Sequence, residues 1–145
     1  MSKFQEGLRA THQGEAPSHN TLMGHSYGST VVGETATNGG THSDELVFLG
    51  SPGVGVDHAS QLDVPSDHVW GGTSRDEEIH SATSINPLDY NNGRDDHWFG
   101  VNPSDPAFGG RTMPTDPTTD HGGHWDKPVS RNAMAEIMVE KDANR

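Results

Sequence analysis

The chain has 145 residues, a formal net charge of −12 at pH 7 and no cysteine. This charge leaves no basic face for nucleic acid or for an anionic bilayer, so neither is expected as a partner. The absence of cysteine excludes disulfides, thiol nucleophiles and cysteine–zinc sites.

The length allows one domain with a single core, and residues 1–145 are interpreted as one unit. Only 29% of the residues are hydrophobic, a composition close to that of disordered chains. The apolar residues are nevertheless clustered between glycines and prolines, which is typical of short buried strands. There is no leader-like segment and no apolar stretch of about 18 residues, so a soluble cytoplasmic protein is expected.

The amino-terminal half shows alternating helix and strand patterns. Phe4 and Leu8 indicate a short amphipathic helix. Residues 19–26 predict a strand, and residues 29–37 predict a helix that the following Asn-Gly-Gly ends. Residues 44–53 contain four consecutive apolar residues bounded by Gly and Pro, which predicts a parallel strand covered on both faces.

The carboxyl-terminal half has shorter elements and one long irregular segment. Residues 55–62 indicate a helical turn, and residues 68–78 begin as a third strand and open into an acidic loop. The segment from Ile79 to Gly110 is too long for a plain connection and is interpreted as a lid or binding loop. Residues 111–113 predict a last strand, and residues 128–140 predict a helix with an apolar stripe. The order of elements predicts an α/β fold, a parallel sheet with flanking helices.

The stretch Gly-His-Ser-Tyr-Gly places Ser26 at the turn between the first strand and the next helix. The pattern G-x-S-x-G is typical of the nucleophile elbow, a strained turn that presents a reactive serine. The small Gly24 and Gly28 are expected to let strand and helix approach each other. A serine that caps the helix is the ordinary alternative. The strand before Ser26 and the helix after it favour the nucleophile.

Acyl transfer by a serine also requires a base and an acid that orients the base. In hydrolases with this elbow, the acid and then the histidine follow the serine along the chain. Asp76 is the first carboxylate after the third strand, and Asp105 is its main rival. The base is expected between the last strand and the last helix, where His121 and His124 share a glycine-rich loop.

Five segments together resemble the alpha/beta-hydrolase superfamily: LMGHSYGSTVVGE, DELVFLGSPGVGVDHASQL, VWGGTSRDEEI, NPSDPAFGGR and HGGHWD followed by SRNAMAEI. More narrowly, they resemble an actinobacterial alpha/beta-hydrolase family. The resemblance implies Ser26 as the nucleophile and Asp76 as the acid. It also implies His121 as the base, because the family has a histidine four residues before the tryptophan, here Trp125. His124 takes a position that the family usually gives to an aromatic residue.

The resemblance covers only part of the superfamily's fold. Several strands precede the elbow in that superfamily, and a loop after an early strand supplies the second oxyanion N–H. Here the elbow begins at residue 24, so the chain resembles the carboxyl-terminal half, and the N–H of Tyr27 is the oxyanion donor expected within it. A partner chain, or an amino-terminal half outside this chain, is then expected to complete the sheet. A decayed copy is the third interpretation.

These features predict a serine hydrolase of the esterase, lipase or thioesterase type, acting on a small-molecule acyl substrate without a cofactor or metal. The alternative is a catalytically inactive fragment or subunit of an alpha/beta hydrolase. Metal binding by His97, His121 and His124 is disfavoured, because helical metal motifs space their histidines to share one face.

Overall fold

A computed structural model describes residues 2–15, 18–74 and 99–139. The described helices and strands are α1 (Ser2–Thr11), β1 (Thr21–His25), α2 (Tyr27–Thr37), β2 (Glu45–Leu49), β3 (Val69–Gly72), β4 (Arg111–Thr112) and α3 (Pro128–Met138). Short 3₁₀ turns lie at Ala59–Gln61, Ser66–His68, Pro106–Phe108 and Gly123–Trp125. Within these ranges, no helix has the length and apolar character needed to cross a bilayer.

The four strands form one parallel sheet in the order β1-β2-β3-β4. The predicted α/β fold, a parallel sheet with flanking helices, is confirmed. Because all four strands run in one direction, their carboxyl ends meet at the same edge of the sheet. The residues that follow β1, β2 and β3 therefore lie together there, where ligand crevices form in open α/β sheets.

Strand β2 is buried along its whole length, as its apolar run predicts. Leu46 and Phe48 pack into one cluster with Val32 of α2. Val47 and Leu49 belong to a second cluster that contains Ala133, Met134 and Ile137 of α3. Successive side chains of a strand point to opposite faces, so this one strand contributes to both layers of the core.

Strand β1 is the outer strand of the described part of the sheet. It pairs with β2 on one side, and no strand among residues 2–15, 18–74 and 99–139 lies on its other side. Thr21, Leu22 and Met23 are half-buried, whereas every residue of β2 is buried. An outer strand carries unpaired backbone groups along one edge, and here that edge lies beside the turn at Ser26.

Helix α1 forms where the amphipathic pattern predicts it, but its packing differs from the pattern. Phe4 is 71% exposed and Leu8 is 45% exposed, while Gln5 is buried. Polar contacts hold the helix instead: Arg9 donates to the carbonyl oxygen of His42 and pairs with a carboxylate. The apolar residues of α1 therefore contribute little to the core of this chain.

The segment predicted as a lid or binding loop lies only partly within the described residues, which resume at residue 99. From there onward the segment packs onto the sheet. Phe108 is fully buried in the cluster beneath α2, and Gly100 forms a parallel bridge with Val56. A Cβ atom on Gly71 of β3 would lie 2.3 Å from the carbonyl oxygen of Pro103. Phe108 and Pro103 therefore anchor this end of the segment to the core, and the interpretation of the whole segment as a lid or binding loop stays a prediction.

Candidate active site

Ser26 occupies a strained turn between β1 and α2. Its φ of 54° and ψ of −131° are values that few residues other than glycine adopt, and such a conformation costs about 1–3 kcal/mol. Two hydrogen bonds hold the turn: the Ser26 N–H donates to the carbonyl oxygen of Leu49 at 2.9 Å, and the Ser29 N–H donates to that of Ser26 at 3.0 Å. Neighbouring structure thus offsets the strain at a single serine.

The two glycines of the motif have different roles. A Cβ atom on Gly24 would lie 2.6 Å from the Cα atom of Ser29, so no larger residue fits where β1 passes under α2. At Gly28, an added Cβ atom would meet no described atom within 4 Å. The expectation that both glycines allow a close approach is confirmed for Gly24 and is wrong for Gly28, which lies on the open side of the helix.

Two buried serines support the turn from below. The Ser29 hydroxyl donates to the carbonyl oxygen of Ser26 and shares a hydrogen bond of 2.6 Å with the Ser51 hydroxyl. The Gly53 N–H donates to Ser51 Oγ at 3.1 Å. These hydrogen bonds therefore connect the loop after β2 to the turn after β1. Neither serine was predicted from the sequence, in which the GSPG segment that contains Ser51 was the available signal.

Ser51→Ala is expected to lower the free energy of unfolding by about 1–3 kcal/mol, because the substitution leaves a buried N–H at Gly53 without its acceptor. Urea denaturation followed by circular dichroism measures the change. Ser60→Ala is the matched control, since Ser60 is exposed on a 3₁₀ turn and surface changes usually stay within about 0.5 kcal/mol. Equal stability of the two variants would contradict a supporting role for Ser51.

The structure brings His121 to the serine and buries His124. Nε2 of His121 lies 2.8 Å from Ser26 Oγ, a distance at which a neutral imidazole accepts a proton from the hydroxyl. His124 is fully buried. Nε2 of His25 lies 2.7 Å from the carbonyl oxygen of His121, a contact not predicted from the sequence although His25 stands inside the motif.

The loop that carries His121 is attached to the end of β3. The buried Ser74 hydroxyl donates to the carbonyl oxygen of Thr119 at 2.6 Å. Asp76, predicted as the acid, follows Ser74 by two positions and lies outside the described residues. The chain just before Asp76 is therefore bonded to the loop of the predicted base.

The beginning of this loop is ordered by local hydrogen bonds. The Thr115 hydroxyl donates to the carbonyl oxygen of Thr73 at 3.2 Å. The side chain and backbone N–H of Thr118 both donate to Asp116, which holds the pKa of that carboxyl below its usual value. These contacts hold residues 115–119 beside the end of β3.

The structure also defines the contacts of two further predicted site residues, Asp105 and Tyr27. The carboxylate of Asp105 accepts from the N–H of Ala107 at 2.8 Å and caps the 3₁₀ turn Pro106–Phe108. Tyr27 begins α2, so its N–H belongs to the first turn, where backbone donors have no partner within the helix. Its ring lies edge-on to that of Phe99, with centroids 5.4 Å apart.

Within the described part of the chain, no group of three or more His, Asp or Glu side chains could hold a metal ion; His97 lies outside it.

A cleft of about 610 Å³ opens at the amino ends of the strands, away from Ser26. There the buried Glu45 accepts from Trp70 Nε1 at 2.7 Å and lies 2.8 Å from Nδ1 of His68. The Ser26–His121 pair and this cleft thus occupy opposite edges of the sheet.

A family model described as an alpha/beta hydrolase matches residues 1–87, which is more than half of the chain. The chain belongs to the alpha/beta hydrolase family. The match includes the turn at Ser26, the GSPG segment and the end of β3.

Relatives of this alpha/beta hydrolase occur in mycobacteria. An uncharacterized protein of Mycobacterium tuberculosis (strain H37Rv) and one of Mycobacterium bovis are each 41% identical over 70 residues, covering 48% of this chain and 26% of the relative. A second uncharacterized M. tuberculosis protein is 34% identical over 89 residues, covering 61% of this chain and 13% of the relative. The chain thus aligns with about a quarter or less of these relatives. No solved structure matches it.

Proposed function

We propose that this alpha/beta hydrolase is a serine hydrolase that cleaves an ester or thioester bond of a small acyl substrate. The observation that supports this best is the 2.8 Å contact between His121 Nε2 and the hydroxyl of Ser26. The serine stands on a strained turn at the carboxyl end of a parallel strand, the position at which this fold presents nucleophiles. A merely structural serine would not require such a backbone conformation.

In the proposed reaction, Ser26 Oγ attacks the acyl carbonyl carbon while His121 Nε2 takes the hydroxyl proton. The electron pair of the C=O double bond moves to the oxygen, which becomes an oxyanion. When the tetrahedral intermediate collapses, the bond to the leaving alcohol or thiol breaks, and His121 returns the proton to that group. Water then attacks the acyl-enzyme by the same route, which releases the acid and regenerates the hydroxyl of Ser26.

The backbone N–H of Tyr27 is the proposed donor to the oxyanion. It follows the nucleophile directly and lies at the amino end of α2, where the helix dipole favours negative charge. One donor of this type contributes about 10²–10³ in rate. A second donor is assigned to a segment that adds a strand beside β1, at the edge where the described residues place none, in a partner or in a longer form of the protein.

Asp76 is the proposed acid that orients His121 through its Nδ1 atom. The support is positional: Ser74, two residues earlier, is bonded to the loop of the base. Asp105 is the weaker candidate, because its carboxylate already caps a 3₁₀ turn. The inactive alternative keeps the same fold, and its supporting observation is that β1 is half-exposed and has no further strand beside it among the described residues.

Labelling with a fluorophosphonate probe tests the proposal, because this reagent reacts with activated serines without requiring a known substrate. Wild-type protein is expected to be labelled and Ser26→Ala is expected to be unlabelled, with matching circular dichroism spectra. Ser60→Ala, which changes an exposed serine, serves as the control and keeps full labelling. Labelling that persists in Ser26→Ala would refute Ser26 as the nucleophile, and folded but unlabelled wild-type protein would favour the inactive alternative.

A further inference from the structure

We infer that His25 is a positioning residue for the base: it holds the backbone of His121 so that the imidazole reaches Ser26. This inference rests on the proposed serine hydrolase function. Its geometric basis is the 2.7 Å contact between His25 Nε2 and the carbonyl oxygen of His121, across 96 positions of the chain. A carbonyl oxygen only accepts hydrogen bonds, so Nε2 of His25 carries the proton.

His25 and Ser26 hold His121 at two points. The first contacts the backbone carbonyl of His121, and the second contacts the imidazole Nε2 at 2.8 Å. Both are consecutive residues at the end of β1, where His25 is in register with Leu49 of the buried strand β2. The end of one strand thus contacts both the backbone and the side chain of the base.

His25 contacts the loop of the base just before its two glycines. His121 is exposed, and Gly122 and Gly123 follow it directly. The N–H and the carbonyl oxygen of Gly123 are bonded within the loop and the turn that follows it, whereas the carbonyl oxygen of His121 is bonded to β1 through His25. The hydrogen bond from His25 therefore connects the loop to the strand at the residue that carries the imidazole.

His25 is itself held by aromatic neighbours. Its ring lies 4.9 Å from the ring of His121 at an interplanar angle of 34°. The rings of His124 and Trp125 approach it edge-on, with centroid distances of 6.2 Å and 6.0 Å. The donor therefore has a defined direction, as a positioning residue requires.

The test separates the hydrogen bond from the ring contacts. His25→Phe keeps an aromatic ring and removes the donor, whereas His25→Gln removes the ring and keeps an N–H near the position of Nε2. We expect His25→Phe to lower the maximal rate of fluorophosphonate labelling about tenfold, at an unchanged half-saturating probe concentration. His25→Gln is expected to recover most of that rate. The exposed His12 provides the control, His12→Phe, with wild-type kinetics.

Wild-type labelling kinetics in His25→Phe would overturn the inference. Equal losses in the phenylalanine and glutamine variants would overturn it as well, because the ring rather than the donor would then be needed. If the wild type is not labelled at all, the proposed function fails, and hydrogen exchange of residues 119–126 decides the inference independently. Faster exchange in His25→Phe than in His25→Gln supports it, and equal exchange refutes it.

Discussion

Replacing His121 with glutamine is expected to lower the rate of fluorophosphonate labelling at Ser26 about 10³-fold, within the range attributed to a general base. Glutamine keeps a polar side chain of similar length but cannot accept the serine proton. Because His121 is exposed, the midpoint of thermal unfolding is expected to stay close to that of the wild type. The loss would therefore report proton transfer rather than folding.

Labelling kinetics at several probe concentrations, with circular dichroism melting curves beside them, measure both quantities. His12→Gln is the matched control, since it makes the same change at an exposed residue of the chain distant from Ser26 in sequence. A His121→Gln variant that is labelled as fast as the wild type would rule out His121 as the base.

Gly24→Ala is expected to lower the free energy of unfolding by about 1–3 kcal/mol. The added methyl group would lie 2.6 Å from the Cα atom of Ser29, so β1 and α2 must move apart. Because Ser26 stands between these elements, the same movement is expected to reduce labelling strongly.

Gly28→Ala makes the same chemical change four residues away and is the control. Its Cβ atom meets no described atom within 4 Å, and the residue lies in α2 without a positive φ. Alanine there is expected to raise the stability by up to about 1 kcal/mol, since alanine favours helix more than glycine does. Urea denaturation of both variants measures the two changes in the free energy of unfolding. Equal changes would contradict the conclusion that Gly24 is confined and Gly28 is not.

The part of the site predictable from sequence is the part encoded within a few residues. The motif around Ser26 combines a strand, a turn and a helix, and the sequence signal of each lies within a few residues. The choice between His121 and His124 did not follow from position in the loop alone, because the two stand three residues apart between the same elements. The 3₁₀ turn Gly123–Trp125 separates them, since it turns His124 into the interior.

The contacts around His121 could not be predicted from the local sequence, because they depend on the order of the strands in the sheet. His25 contacts His121, which lies 96 positions later in the chain. No local sequence pattern relates two residues that are so far apart in sequence. Their meeting follows from the parallel order of the strands, which places the loops after β1 and β4 at one edge. The acid predicted at Asp76 remains a prediction, because that residue lies outside the described ranges.

The sequence by itself determined the order of strands and helices, the buried run of β2 and the serine at the turn. Hydrophobic runs and glycine or proline stops act over a few residues, so they can be recognised without the fold. Only the tertiary structure decided that Gly24 but not Gly28 is confined, that Phe4 of α1 stays exposed, and that His121 reaches the serine. These features depend on which segments pack together, and that is set by the register of the parallel sheet.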